Sequence, residues 1–298
     1  MKPFLPLPCC VLLASVLAGL ALVTSPCQAQ TPEWARVAAA HESLAQATNE
    51  ADRLALHEQL QGLWEEALSA GHAFDVAWKE WNNAVVDLGA GDERLLVFTW
   101  NVELDDRTQR YGGWVAKASS SELGYDHVML DHDLDVDPLD AGRMHRHDRW
   151  QGGLYYNGIL TYDRNTPVYT LLAWDGADAL TTRKWVETLE PRNGRVRFGA
   201  PRFDMPEGLL KRVVLTYADA VQATLRIEPQ AARIVFDHLA PEDPSFEGQF
   251  AFYGPTLNYD GLEWRKGRWT FARDIAVQNG DDSSPREYRD PSRRRRRS

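Results

Sequence analysis

The feature that most constrains this chain of 298 residues is a pair of runs in the stretch WQGGLYYNGILTYDRNTPVYTLLAWDG, residues 150–176. In residues 154–162, successive side chains divide between two faces in the way of a β-strand. Residues 168–174 are almost wholly apolar, which is typical of a strand buried on both faces. Residues 163–167 supply turn residues between the two runs. We therefore predict a β-hairpin that lies in the centre of a sheet and not at its edge.

Short runs of the same kind recur along the rest of the chain and are separated by turn residues. Asn193-Gly194 and Lys266-Gly267 mark two tight hairpins, because Gly after Asn or Lys takes the positive φ that such turns need. Strands at this spacing, without long helices between them, predict a mainly β domain over residues 84–277, either an antiparallel β-sandwich or a partly open barrel. The other predicted strands are residues 84–88, 95–102, 110–118, 127–130, 183–189, 195–198, 211–217, 223–227, 233–237, 249–253, 262–265 and 268–272.

The pattern of residues 31–82 predicts a helical N-terminal segment. Trp34, Val37 and His41 follow one helical stripe, and a second stripe includes Leu60 and Trp64. We predict a helical hairpin that packs on the β-domain. The two histidines on or near these stripes, at positions 41 and 57, have no ligand partner four residues on, so we expect them to be ordinary helix residues and not metal ligands.

Residues 1–29 have the form of a secretory signal peptide. Lys2 precedes the apolar residues 11–23, and small residues suit cleavage after Ala29. All three cysteines (Cys9, Cys10 and Cys27) lie in this leader, so the mature chain would contain no disulfide. We expect an exported protein, periplasmic or extracellular, without a transmembrane segment in the mature chain. The alternative is a lipoprotein that is acylated on Cys27.

Charge is distributed unevenly along the chain. The formal net charge of −10 includes an Arg-rich tail, in which residues 285–298 carry a net +5, and one leader lysine, so residues 30–284 carry a net −16. A protein this acidic should repel nucleic acid, because phosphate binding depends on clustered Lys and Arg. Residues 280–298 are nearly free of apolar side chains, and we predict that they are disordered.

Six stretches resemble segments of a known family when they are taken in chain order: residues 96–101 (LVFTWN), 153–156 (GLYY), 169–176 (YTLLAWDG), 197–201 (RFGAP), 234–241 (IVFDHLAP) and 252–261 (FYGPTLNYDG). Their order is similar to that in a family of exported bacterial proteins with no assigned activity. The resemblance covers residues 94–277. It implies one β-rich exported domain with an N-terminal helical extension, and it transfers no catalytic residue to this chain.

Five residues near predicted strand ends are candidates for a site. Trp174 could form part of an aromatic binding platform, and Asp175, Asp237, His238 and Asp260 could gather at one rim of a sandwich for acid–base chemistry. The aspartates could equally be turn residues, because Asp stabilises turns by bonding to its own backbone. The sequence contains no G-x-S-x-G, H-E-x-x-H, phosphate-loop or dinucleotide motif. We therefore favour a non-catalytic module that binds an envelope partner or a small ligand, and the alternative is a hydrolase that uses those four residues.

Residues 131–148 form the most ligand-like acidic stretch, with alternate carboxylates and two histidines. As an EF-hand loop that begins at Asp131 it fails, because Val136 stands at the turn-glycine position and Gly142 at the closing Glu position. We expect a solvated acidic loop, no metal site and no cofactor. Cation binding by this loop remains the weaker alternative.

Overall fold

The computed structural model describes residues 31–78, 81, 84–192 and 194–276. The predicted leader and the Arg-rich tail lie outside the described residues. The elements, in chain order, are α1 (Pro32–Gln46), α2 (Glu50–Ala70), β1 (Ala84–Leu88), β2 (Leu95–Glu103), β3 (Gln109–Ala118), β4 (Tyr125–Leu130), β5 (His145–Arg146), β6 (Leu154–Asp163), β7 (Thr166–Asp175), β8 (Thr181–Arg192), β9 (Arg195–Phe198), β10 (Phe203–Met205), β11 (Gly208–Leu210), β12 (Arg212–Ala218), β13 (Leu225–Glu228), β14 (Arg233–Pro241), β15 (Tyr253–Arg265) and β16 (Arg268–Ala272). The fold is mainly β, as predicted, and is consistent with a β-sandwich.

The strands form three sheets. The N-terminal sheet has the order β1-β2-β3-β4, the central sheet the order β5-β9-β8-β7-β6, and the C-terminal sheet the order β11-β10-β16-β15-β14-β13. β12 also pairs with β8. It lies beside residues 181–187 of β8, on the side away from β7. Pairing is antiparallel throughout the described strands except between β10 and β16.

The two helices and the three sheets stack as four layers with a hydrophobic core at each interface. Trp34 and Trp64 of the helices pack with Phe98 of the N-terminal sheet in the first core. The second core lies between the N-terminal and central sheets, and the third lies between the central and C-terminal sheets. Asn49 caps α2, since its side chain accepts a hydrogen bond from the backbone N–H of Asp52 at 2.9 Å. The predicted helical hairpin is therefore present and packs on the β-domain.

Residues 168–174 of β7 are almost wholly apolar because both faces of this strand are buried in a core. Leu171 and Ala173 enter the second core, whereas Leu172 enters the third. β7 lies inside its sheet, as predicted, but its partner β6 is the edge strand, so the prediction was wrong for β6. The reason is that β6 already carries exposed side chains, Tyr156 and Tyr162 among them, and a half-exposed strand can end a sheet.

Two other predictions need correction. The predicted strand at residues 249–253 is wrong except at Tyr253, because Phe250–Phe252 is a short 3-10 helix and the thirteen-residue β15 begins at Tyr253. The short strands β5, β10 and β11 were not predicted, since two or three residues are too few to show alternation. Among the described residues, no helix has the length and apolar character needed to cross a bilayer.

Candidate functional site

A cleft of about 700 Å³ opens where the central sheet meets the segment before β13. We call it the mouth cleft. Trp174 of β7, Thr182 and Lys184 of β8, and Tyr217 of β12 line one side, and residues 221–225 line the other. The mouth cleft lies at the open end of the third core.

Strand pairing places the central-sheet residues of the mouth cleft on a single face. Trp174 pairs with Lys184, and Tyr217 pairs with Thr182, and residues directly opposite each other share a face. By alternation, that face also carries Leu172 and Val186, which are buried in the third core. The cleft thus begins where apolar core residues give way to Trp, Lys and Thr.

Lys184 is the cationic group of the mouth cleft. Its Nζ donates a hydrogen bond to the Ala223 carbonyl at 2.6 Å and lies 5.9 Å from the centroid of the Tyr156 ring. Burial lowers the pKa of Lys184, and the nearby carboxylate of Asp237 opposes that shift. Burial raises the pKa of Tyr217 to about 12, so this phenol is neutral at ordinary pH.

Hydrogen bonds fix the walls of the cleft. Thr182 Oγ1 donates to Asp219 Oδ1 at 2.8 Å, and Tyr156 Oη donates to the Leu225 carbonyl at 2.8 Å. The Thr224 N–H donates to Asp237 Oδ2 at 2.5 Å. Asp237, a predicted site residue, therefore holds the wall segment of the cleft in place, and its carboxylate is engaged in doing so.

Asp175 lies on the other face of the central sheet from Trp174, because neighbouring residues of a strand alternate. Its Oδ1 accepts from Tyr111 Oη at 2.7 Å and from the Ala177 N–H at 2.9 Å, and its Oδ2 lies 3.3 Å from an Arg183 guanidinium nitrogen. Burial raises the pKa of Tyr111, and the Asp175 charge adds to the shift. Asp175 thus ties the N-terminal sheet to the central sheet, and it is not among the residues that line the mouth cleft.

His238 and Asp260 form a pair of their own on β14 and β15. The His238 Nδ1 lies 2.7 Å from Asp260 Oδ2, and the Asp274 N–H donates to Asp260 Oδ1 at 3.2 Å. The register between the strands shifts between Asp237 and Leu239, so His238 occupies a bulge, and bulges redirect side chains. Asp260 pairs with Phe236, which places it on the opposite sheet face from Asp237.

The five predicted site residues therefore do not form one constellation. Trp174 lines the mouth cleft and Asp237 supports its wall. Asp175 lies on the opposite face of the central sheet, and the His238–Asp260 pair belongs to the C-terminal sheet. A carboxylate pair for hydrolysis would have to face a shared space, and the hydrogen bonds place these carboxylates in three separate environments.

A buried polar network that we did not predict lies beside the second core. The Arg212 Nη2 and the Glu187 Oε2 are 2.6 Å apart, and both side chains are fully buried. Glu187 Oε1 accepts from Gln151 Nε2 at 2.6 Å, from Tyr155 Oη at 2.7 Å and from Trp185 Nε1 at 2.8 Å. The one sequence signal was a glutamate inside the apolar run WVETL.

In the acidic stretch at residues 131–148, several carboxylates accept hydrogen bonds from the backbone of the same stretch. Asp133, Asp137 and Asp140 each accept from the N–H two residues on, at 2.9–3.1 Å, which is the turn behaviour of Asp. Arg149 also binds Asp133, at 2.7 Å. Among the described residues, no group of three or more His, Cys, Asp or Glu side chains could hold a metal ion.

Comparisons with protein-family models, curated proteins and solved structures found no match to this chain. The resemblance to a family of exported bacterial proteins therefore stays a prediction.

Proposed function

We propose that this chain is an exported, non-catalytic binding module that holds a small hydroxyl-rich ligand, such as a sugar unit, in the mouth cleft. The observation that carries the proposal is the cleft of about 700 Å³ in which Trp174 adjoins hydrogen-bonding side chains. Concave sites of roughly 300–1,000 Å³ with an aromatic surface and a few polar groups are the usual form of small-molecule sites.

The chemistry of the lining favours a hydroxylated ligand over an apolar one. Trp174 offers a partly exposed ring, on which an apolar ring face can stack. Gln222 is exposed at the rim and has both donor and acceptor atoms. Lys184 and Thr182 add an ammonium and a hydroxyl. Alternate donors and acceptors beside an aromatic ring suit a sugar, which has hydroxyls at its edge and C–H groups on its faces.

The absence of a shared catalytic constellation supports binding without chemistry. The predicted carboxylates are engaged by Thr224, by Tyr111 and by His238, respectively. General acid–base catalysis needs a group within hydrogen-bond reach of the reacting atom. The hydrolase alternative has no such assembly at the mouth cleft among these residues.

Export and an envelope location belong to the same proposal. They rest on the sequence of residues 1–29, which lie outside the described residues. The net −16 of residues 30–284 disfavours nucleic acid as a partner and is compatible with an uncharged sugar.

The test is sugar binding by the mature protein with Trp174 intact and removed. Calorimetric titration against a panel of neutral mono- and disaccharides should give saturable binding to at least one, and Trp174→Ala should weaken it about tenfold, which is about 1.4 kcal/mol. Trp264→Ala is the matched control, because Trp264 is also partly exposed but belongs to the C-terminal sheet. Equal loss in both variants, or no binding by the wild type, would contradict the proposal.

A separate assay addresses the hydrolase alternative. The bound disaccharide is incubated with the protein and the mixture is analysed for released monosaccharide. We expect none. Release of monosaccharide that is abolished by Asp260→Asn would contradict the binding proposal and support the hydrolase alternative.

A further inference from the structure

We propose a second, independent site, in which a medium-chain carboxylate binds beside the β8–β9 hairpin with its anionic head on Lys117, Arg192 and Arg195. A cleft of about 290 Å³, the hairpin cleft, lies between this hairpin and strands β3 and β4 of the N-terminal sheet. It holds those three cationic residues and one carboxylate residue, Asp126. This local excess of positive charge stands in a body whose net charge is −16.

The two arginines face each other without compensation. Arg192 pairs directly with Arg195 across the hairpin, and both are exposed. Like charges directly opposite in an antiparallel pair are unfavourable. Among the described residues, neither guanidinium has a carboxylate oxygen within 4.0 Å. An anion between them would relieve the repulsion, and the fork of a guanidinium matches a carboxylate.

A second hairpin in this fold also has an arginine pair, and in that hairpin a carboxylate compensates the positive charge. Arg265 pairs directly with Arg268 across the turn between β15 and β16. There, however, the guanidinium of Arg265 forms an ion pair with Glu263, two residues earlier. Glu190 also stands two residues before Arg192, but among the described residues it forms no ion pair with Arg192 within 4.0 Å. The β8–β9 hairpin therefore keeps two cations available to a ligand.

Lys117 completes the head-group site. Its Nζ donates to the carbonyls of Asp92 and Ala118, the latter at 3.2 Å, and an ammonium has three donors. Two backbone carbonyls position the ammonium; burial lowers the pKa of Lys117, and the charges of Asp92, Glu93 and Asp126 oppose that shift. One N–H is left over for an anion.

The floor of the hairpin cleft explains why the anion should carry an apolar tail. Val115, Val128 and Val196 lie among its lining residues and belong to, or pack on, the second core. Lys117, Pro191 and Arg192 also line an adjoining cleft of about 380 Å³ that contains Val168 and Leu189. Val115, Val196 and Leu189 are already buried, and Val128 is partly exposed. An aliphatic chain would cover the exposed part of Val128, and a free inorganic anion would not.

The hairpin cleft is distinct from the mouth cleft. Lys184 and Arg192 lie eight residues apart on β8, which at the rise of an antiparallel strand is about 27 Å. A ligand of either site therefore leaves the other free, and the two proposals can fail separately.

The experiment uses the full mature protein and octanoate as the probe. Calorimetric titration should give saturable binding, with acetate (head only) and 1-octanol (tail only) each at least tenfold weaker. The variant Arg192→Ala/Arg195→Ala should weaken octanoate binding at least tenfold. It should leave any sugar binding at the mouth cleft unchanged, and its melting temperature should be equal to or above that of the wild type, since a repulsive pair has been removed.

The matched control is Arg265→Ala/Arg268→Ala, which removes the same number of charges from the other Arg–Arg hairpin. Unchanged octanoate binding in this control supports the assignment. Equal weakening in both double variants would mean that only net charge matters and would overturn the site. No octanoate binding by the wild type, or acetate binding as tight as octanoate binding, would also overturn it.

Discussion

At the scale of single residues, the Glu187–Arg212 pair shows how one strand position organises the interior. The two residues are directly paired across β8 and β12, and neither side chain reaches solvent. Every hydrogen bond to Glu187 comes from a neighbour that is also buried in this network. Buried ion pairs persist when their remaining polar atoms are satisfied, and removal of one partner leaves an uncompensated charge.

Arg212→Met should therefore lower the free energy of unfolding by about 3–5 kcal/mol, because the Glu187 charge would lose its cation. In a Glu187→Gln background, Arg212→Met should lower the free energy of unfolding by at least about 1 kcal/mol less, because a neutral amide needs no counter-ion. Urea denaturation of the four proteins measures this coupling. Arg36→Ala is the control, since the Arg36–Glu66 pair is exposed and should contribute less than about 1 kcal/mol. Additive effects of the two buried substitutions would contradict the expectation.

Sequence reasoning located β8 but could not find this pair. The partner of Glu187 lies 25 residues further along the chain, and only the register between β8 and β12 brings the two together. The same limit applies to the mouth cleft. Trp174 stood out at the end of an apolar run, whereas Lys184 and Tyr217 acquire meaning only through their pairing with other strands.

At the scale of elements, alternation and turn residues predicted most strands because those patterns are local. The position of a strand within a sheet is not local, which is why β6 was placed in the interior and proved to be an edge strand. The aromatic stretch at residues 249–253 resembled a strand in composition, yet Phe250–Phe252 turns as a 3-10 helix. Aromatic content favours strands only when a pleated partner surface is present.

Contact between the helical layer and the N-terminal sheet depends on a glycine. Gly112 pairs with Trp100, and a Cβ on Gly112 would stand 2.2 Å from the Trp100 ring. That ring donates its indole N–H to His57 Nδ1 of α2 at 3.1 Å. The indole can lie flat against the sheet and reach the helix only because position 112 has no side chain.

Gly112→Ala should thus lower the free energy of unfolding by about 1–3 kcal/mol, because the Trp100 ring must shift in a packed core. Gly62→Ala is the matched control with the opposite expected sign. Gly62 is exposed on α2, a Cβ there would meet nothing within 4 Å, and Ala is favoured over Gly in a helix by about 0.5–1 kcal/mol. Chemical denaturation of both variants tests the pair, and a neutral Gly112→Ala would mean that Trp100 is not confined.

At the scale of the whole molecule, four layers enclose three cores, and several histidines are buried with them. His41 accepts the indole N–H of Trp64 at 3.1 Å in the first core. His132 Nδ1 accepts the Tyr111 N–H at 3.1 Å, and His145 is buried near Arg212. Burial lowers the pKa of His41, His132 and His145 to about 4 in each case, and nearby Arg charges add to the shift at His132 and His145.

These lowered pKa values predict a protein that loses stability in mild acid. A histidine in the unfolded chain has a pKa of about 6.5, so between pH 6.5 and 4 the unfolded chain binds more protons than the folded one. The stability that the three neutral histidines contribute is complete above about pH 6.5 and is lost as the pH falls toward 4. The limiting slope is about 1.4 kcal/mol per pH unit for each histidine. Carboxylates with lowered pKa values, such as Asp133 beside Arg149, lose their contribution only below about pH 4.

The measurement is the free energy of unfolding from urea titrations at half-unit steps between pH 7 and 4. His41→Gln removes one titrating group while an amide oxygen can still accept the Trp64 indole N–H, so the slope should fall by up to about 1.4 kcal/mol per pH unit. His72→Gln is the control, because the His72 side chain is 65% exposed and packs in none of the three cores. The lowered pKa at His41 comes from enclosure between the helical hairpin and the N-terminal sheet, so the slope also reports whether those two layers remain docked in solution. If His41→Gln has the same slope of unfolding free energy against pH as the wild type, His41 does not titrate with a lowered pKa. Water would then reach the His41 ring in the wild type, and the helical layer would not be closed on the sheet.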